Sequence, residues 1–118
     1  MKVKSVYDFL NEYAPFDVFD SFDNCGLIVG SMDANVKAIC LCLDITNKVI
    51  EEAAKRKANL IISHHPVIFN PLKRIEAGTP VYNLIKYKMN AICMHTNADM
   101  TKNGVTDIML ELLDFENS

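Results

Sequence analysis

A basic surplus is the first thing this sequence lacks. Its 12 lysines and arginines are outnumbered by 15 aspartates and glutamates, for a net charge of -3. Nucleic-acid-binding modules carry clustered positive charge instead, so no nucleic-acid polymer is expected as a partner. Lys55, Arg56 and Lys57 do cluster, but at a helix end, where cations complement the helix dipole and face solvent. Also missing is any apolar run near the ~20 residues of a membrane span. Met1-Lys2-Val3-Lys4 passes into an amphipathic pattern containing Asp8 and Glu12, unlike the unbroken apolar stretch of a signal peptide. A cytoplasmic location without a membrane partner is therefore expected. The glycine-rich phosphate loop, the dinucleotide-binding glycine motif and the serine nucleophile elbow are all absent. No repeat, low-complexity segment or Pro/Gly/Ser linker divides the 118 residues, half of them apolar, so a single globular domain is expected.

The chain has four cysteines, and three of them, Cys40, Cys42 and Cys93, fall inside apolar runs. There a reduced thiol acts as a small buried hydrophobe. Cys40 and Cys42 share one face of a strand, with no second pair at zinc-knuckle spacing, so core packing is expected for both. Cys25 lies in a loop with no basic neighbour in sequence to activate it as a nucleophile.

Elements follow from periodicity. Val6, Leu10 and Tyr13 predict a helix over 4–13, stopped by Pro15. DNCGLIVG suggests a turn feeding a short strand. Val36–Leu43 is nearly continuous in apolar residues, as in a strand buried on both faces. Thr46 can cap a helix over about 46–57. Leu60–Ile62 and Ala91–Met94 are further buried runs, with a helix over about 80–89 between them and another over about 104–114 after them. Alternating strands and helices predict an α/β fold in three layers, a mostly parallel sheet with helices on both faces.

Ligands of such sheets bind beyond the carboxyl ends of the strands. The residues following the three runs are Asp44, then Ser63-His64-His65-Pro66, then His95-Thr96-Asn97-Ala98-Asp99. All three histidines are thereby directed to one edge. Pro66 biases His65 toward extended backbone, and adjacent side chains of an extended chain point in opposite directions. His64 and His65 would then each reach a different metal ion, with Asp99 as the bridging carboxylate. Two divalent ions are expected, and zinc, iron, manganese or nickel all suit this donor set. Ion pairs ~3.5–4 Å apart activate water for hydrolytic displacement. His95 is either a hydrogen-bonded strand-end residue or a catalytic one that orients substrate or relays a proton. Asp44 either joins this edge or serves as the polar N-terminal partner of its helix.

FDNCGLIVG at 22–30, CLDIT at 42–46, SHHPVIFNPLKRI at 63–75 and HTNADMTKNGVTD at 95–107 resemble the Nif-three-like proteins, homologues of GTP cyclohydrolase type I, subtype 2. The likeness runs essentially from the first helix to the last. It implies a dinuclear metal centre with His64, His65 and Asp99 at ligand positions and with His95 and Asp44 nearby. It also implies a toroidal homo-hexamer and, for some members, hydrolysis of a purine nucleotide ring, making a small molecule such as a nucleotide the expected substrate.

One departure stands out. In that family a further histidine and a glutamate from a C-terminal segment complete the site. Here there is no fourth histidine, and Glu111, Asp114 and Glu116 lie on or after the last expected helix. The chain is thus expected to be the N-terminal half of a longer family member, or to take the missing ligands from a partner chain. Exposed strand edges and helix faces then predict self-association. Two functions follow as expectations: a metal-dependent hydrolase, or a non-catalytic metal-binding or assembly module.

Overall fold

Val3, Val6 and Leu10 recur at helical spacing, and all three are fully buried along α1, Val3–Tyr13. Burying each such side chain contributes about 1.5–3 kcal/mol, so packing rather than helix propensity holds this element. The computed structural model describes residues 1–13 and 24–94. The helix expected over 104–114 lies outside the described residues, as do His95 and Asp99.

Four strands follow: β1 (Gly26–Val29), β2 (Ile39–Cys42), β3 (Leu60–Ser63) and β4 (Asn90–Cys93). Their order in the sheet is β1-β4-β3-β2, with β2 parallel to β3 and β3 parallel to β4, while β1 runs antiparallel to β4. Helical crossovers account for the parallel pairs. Between β2 and β3 comes α2, Asn47–Lys55, and between β3 and β4 comes α3, Pro80–Lys86. The expected three-layer arrangement is present. On one face Leu60, Ile62, Ile92 and Met94 pack against α1. On the other, Ile61 and Ala91 pack against Ile50 and Ala53 of α2 and Leu84 of α3.

The run 36–43 differs from expectation. Its strand covers only Ile39–Cys42, lies at the sheet edge and is half-buried throughout, whereas β3 and β4 are buried at every position. A continuous apolar run reads alike in a central and an edge strand, because side-chain pattern carries no information about lateral neighbours.

Both crossover helices begin and end by local chemistry. Thr46 accepts a hydrogen bond from the Val49 N–H, and Thr79 from the Tyr82 N–H, with Pro80 in the first turn. Each terminates on a lysine in the left-handed region, Lys57 at φ 60° and Lys88 at φ 57°. The Ala58 N–H returns to the Ala53 carbonyl and the Met89 N–H to the Leu84 carbonyl, both at 2.8 Å. This is the reversal usually built on glycine. It turns each helix directly into the next strand, which shortens α3 relative to the expected 80–89.

The amino ends of the strands are tied by two asparagines. Asn90, 4% exposed, accepts from the Ser31 N–H and donates to the Asn59 carbonyl. Asn59 accepts from the Lys37 N–H and donates to the Asn35 carbonyl. The β1–β2 connection is thereby sewn to the sheet by side-chain amides, and the opposite, carboxyl edge is left for His64 and His65.

Candidate functional site at the carboxyl edge

β2, β3 and β4 deliver Cys42, Ser63 and Cys93 to one row across the sheet, and antiparallel β1 adds Gly26 from its amino end. The described residues that leave β2 and β3 or lead into β1 gather at one edge. From β2 come Leu43 and Asp44, from β3 the His64-His65-Pro66 segment, and into β1 lead Asn24 and Cys25. The Asn24 side chain donates to the Ile68 carbonyl at 2.7 Å, tying the β1 entry to the segment after the histidines.

The two imidazoles lie side by side, with ring centroids 4.7 Å apart and planes tilted by 51°. The expectation that they project in opposite directions is corrected, and the backbone gives the reason. Successive N–H groups of a strand point to opposite sides. Here two consecutive ones both face β2: His64 N–H bonds the Cys42 carbonyl at 3.2 Å and His65 N–H the Leu43 carbonyl at 2.9 Å. The chain has turned after Ser63, and alternation stops with it. Pro66 restricts His65 alone and leaves His64 able to make that turn.

Side chains from the row beneath hold the turn. Ser63 Oγ donates to the His65 carbonyl at 2.8 Å, and the Cys93 thiol to the His64 carbonyl at 3.4 Å. Asp44 Oδ1 lies 2.7 Å from His65 Nδ1. Their side chains are 57% and 42% exposed, so this pair faces solvent at the mouth of the edge.

Burial raises the thiol pKa of Cys42 to about 12, helped by the neighbouring Cys40 and Asp44 charges, and burial also raises that of Cys40. Both remain protonated at neutral pH and pack against the α2/α3 side of the sheet, in keeping with the core role expected of them. Cys25, at the β1 entry, is half-buried.

Of the five expected site residues, the described structure brings together His64, His65 and Asp44; His95 and Asp99 lie outside the described residues. Among the described residues, no group of three histidine, cysteine, aspartate or glutamate side chains is arranged to hold a metal ion. Two imidazoles and a carboxylate are donor types that ligate divalent metals. Sequence reading missed Asn24, Ser63 and Cys93 as supports of the edge. The signal for Asn24 was β1 running antiparallel, which no local pattern reveals.

Among the described residues no helix is long and apolar enough to cross a membrane. The chain is 36% identical over 122 residues to a Clostridium acetobutylicum protein named GTP cyclohydrolase 1 type 2 homolog, covering 100% of this chain and 46% of that relative. A Clostridium perfringens protein of the same name is 37% identical over 98% of this chain and 45% of its own length. The chain thus spans under half the length of these curated relatives. Among solved structures, Staphylococcus aureus protein SA1388 superposes with a TM-score of 0.81 at 38% identity, over 84% of this chain and 33% of that one. Reduced HcgD from Methanocaldococcus jannaschii gives 0.77 at 33% identity, over 95% and 46%. Relatives, matching folds and a family model spanning residues 1–118 agree: this chain belongs to the Duf34/NIF3 (NGG1p interacting factor 3) family.

Proposed function

We propose that this chain contributes His64, His65 and Asp99 to a two-metal centre and acts in metal-dependent hydrolysis of a small molecule, a nucleotide being the substrate class its relatives' name suggests. The observation that carries the reading is the pair of imidazoles 4.7 Å apart beyond the carboxyl ends of parallel strands, where sheets of this kind bind ligands. Side-by-side rings suit two ions at ~3.5–4 Å separation as well as one, so the choice of two rests on the family likeness. Bound divalent ions, zinc, iron, manganese or nickel, would supply Lewis-acid activation of water and substrate. The chain's own part is to hold the imidazoles: the Ser63 and Cys93 contacts fix their carbonyls, and the backbone bonds to Cys42 and Leu43 fix their N–H groups. Asp99 is assigned the bridging carboxylate, and His95 the orientation of substrate or the relay of a proton.

Exposed Leu43, Phe69, Leu72 and Ile75 near the end of β2 and in the segment after the histidines support self-association of the chain, as the second part of this reading. The test of catalysis is turnover of GTP and of a simple phosphoester by metal-loaded protein beside the His64→Ala/His65→Ala variant. Turnover in the parent, lost in the variant, is expected. Absence of turnover in both would favour the alternative, a non-catalytic metal-binding or assembly module.

A further inference from the structure

We infer that Asp44 is a positioning residue for His65, its carboxylate selecting the imidazole tautomer that carries a proton on Nδ1 and a lone pair on Nε2. The inference takes its ligand from the metal-centre reading above, but its geometry stands on the hydrogen bonds alone. A neutral imidazole donates from one nitrogen and accepts or ligates through the other. Asp44 Oδ1 lies 2.7 Å from His65 Nδ1, and an ionised carboxylate can only accept. Nδ1 therefore holds the proton and Nε2 is the ligating atom.

Two further observations assign Asp44 to this task. The helix that follows does not use it, because Thr46 accepts the Val49 N–H at the α2 N-terminus. The competing expectation for Asp44, the polar partner of that helix, is filled by another side chain. Moreover, the His65 N–H bonds the carbonyl of Leu43, the residue directly before Asp44, at 2.9 Å. His65 is gripped by the same short stretch of chain through backbone and side chain, while Ser63 Oγ holds its carbonyl. Three fixed points leave the ring little freedom to present a different nitrogen. Carboxylates behind ligating histidines act in this way, orienting the ring and raising its basicity, and their loss typically weakens metal binding about 10–100-fold.

The experiment uses the full chain labelled with ¹⁵N-histidine, as parent, Asp44→Ala and Asp44→Asn. Ring ¹⁵N shifts of the metal-free proteins, recorded above the imidazole titration range, report the His65 tautomer directly. Co(II) titration, followed by its visible absorption, reports affinity. An amide oxygen still accepts from Nδ1–H, so Asp44→Asn should keep the parent tautomer and most of the affinity. Asp44→Ala should lose the Nδ1–H preference and weaken Co(II) binding about 10–100-fold. A parent His65 protonated at Nε2, or an Asp44→Ala protein with the parent tautomer and parent affinity, would overturn the inference. Equal losses of affinity in Asn and Ala variants with an unchanged tautomer would also overturn it, by making Asp44 a ligand itself. Should the parent bind no Co(II), the metal-centre reading fails, and the tautomer measurement still decides the role of Asp44.

Discussion

Gly30 approaches Asn90 so closely that a Cβ on Gly30 would lie 2.9 Å from the Asn90 Cα and collide with its side-chain amide. The same amide oxygen takes the Ser31 N–H at 2.8 Å, so the glycine makes room for the bond that anchors the β1–β2 connection. Gly30 also has φ +113°, a conformation side chains rarely adopt. Gly30→Ala is therefore expected to destabilise the fold by about 2–4 kcal/mol, through overlap and backbone strain together. Urea denaturation measures it, and a midpoint within error of the parent would show that the connection relaxes freely.

Asn90 itself should be costly to remove. Asn90→Ala leaves the Ser31 N–H without its acceptor and removes the donor to Asn59, at a position that is 4% exposed. A loss of about 1–3 kcal/mol is expected. Amide hydrogen exchange at Ser31 should accelerate in the variant more than exchange at Ile62 in the central strand. Equal acceleration at both would mean that the amide serves the whole sheet and not the connection.

The lysines that end α2 and α3 predict a gain. Lys57 and Lys88 occupy the left-handed region, where a Cβ costs about 1–2 kcal/mol that glycine does not incur. Part of this returns as extra freedom of the unfolded chain, so Lys57→Gly and Lys88→Gly should each stabilise by up to about 1 kcal/mol. Glu51→Gly, an exposed position in the middle of α2, is the control and should destabilise by about 1 kcal/mol. Thermal unfolding separates the two signs, and a loss at Lys57 as large as at Glu51 would refute the assignment.

Cys42 predicts a pH dependence. Its thiol titrates near 12 when folded, above the usual value of 9.0, chiefly because burial disfavours the thiolate. A raised acid keeps its proton longer in the folded state, so its contribution to stability is intact below pH 9 and is lost as pH rises from 9 toward about 12. Alkylation of Cys42 at pH 8, followed by peptide mass spectrometry, should run far slower in the native protein than in urea. Comparable rates would place the thiol in water.

Among the described residues the sequence carried α1, α2, α3 and the buried strands because apolar spacing and threonine caps are local. Val3, Val6 and Leu10 mark the α1 face, and Thr46 opens α2 as expected. What local pattern could not show was lateral: the edge position of β2, and the antiparallel course of β1, which brings Asn24 to the histidine edge. The His64-His65 turn belongs to the same class. Strand alternation ends at Ser63, where the Cys42 and Leu43 carbonyls take both N–H groups and the rings turn together. By pattern alone Asp44 fits either the helix or the site, and Thr46 takes the helix role. His95 and Asp99 lie outside the described residues.

Elemental analysis of protein purified without chelator tests the central claim most directly, with the parent measured beside His64→Ala/His65→Ala. The account predicts about two divalent ions per chain in the parent, as in two-metal hydrolytic centres, and their loss in the variant. Little or no metal in the parent, or metal retained after both imidazoles are gone, would contradict it.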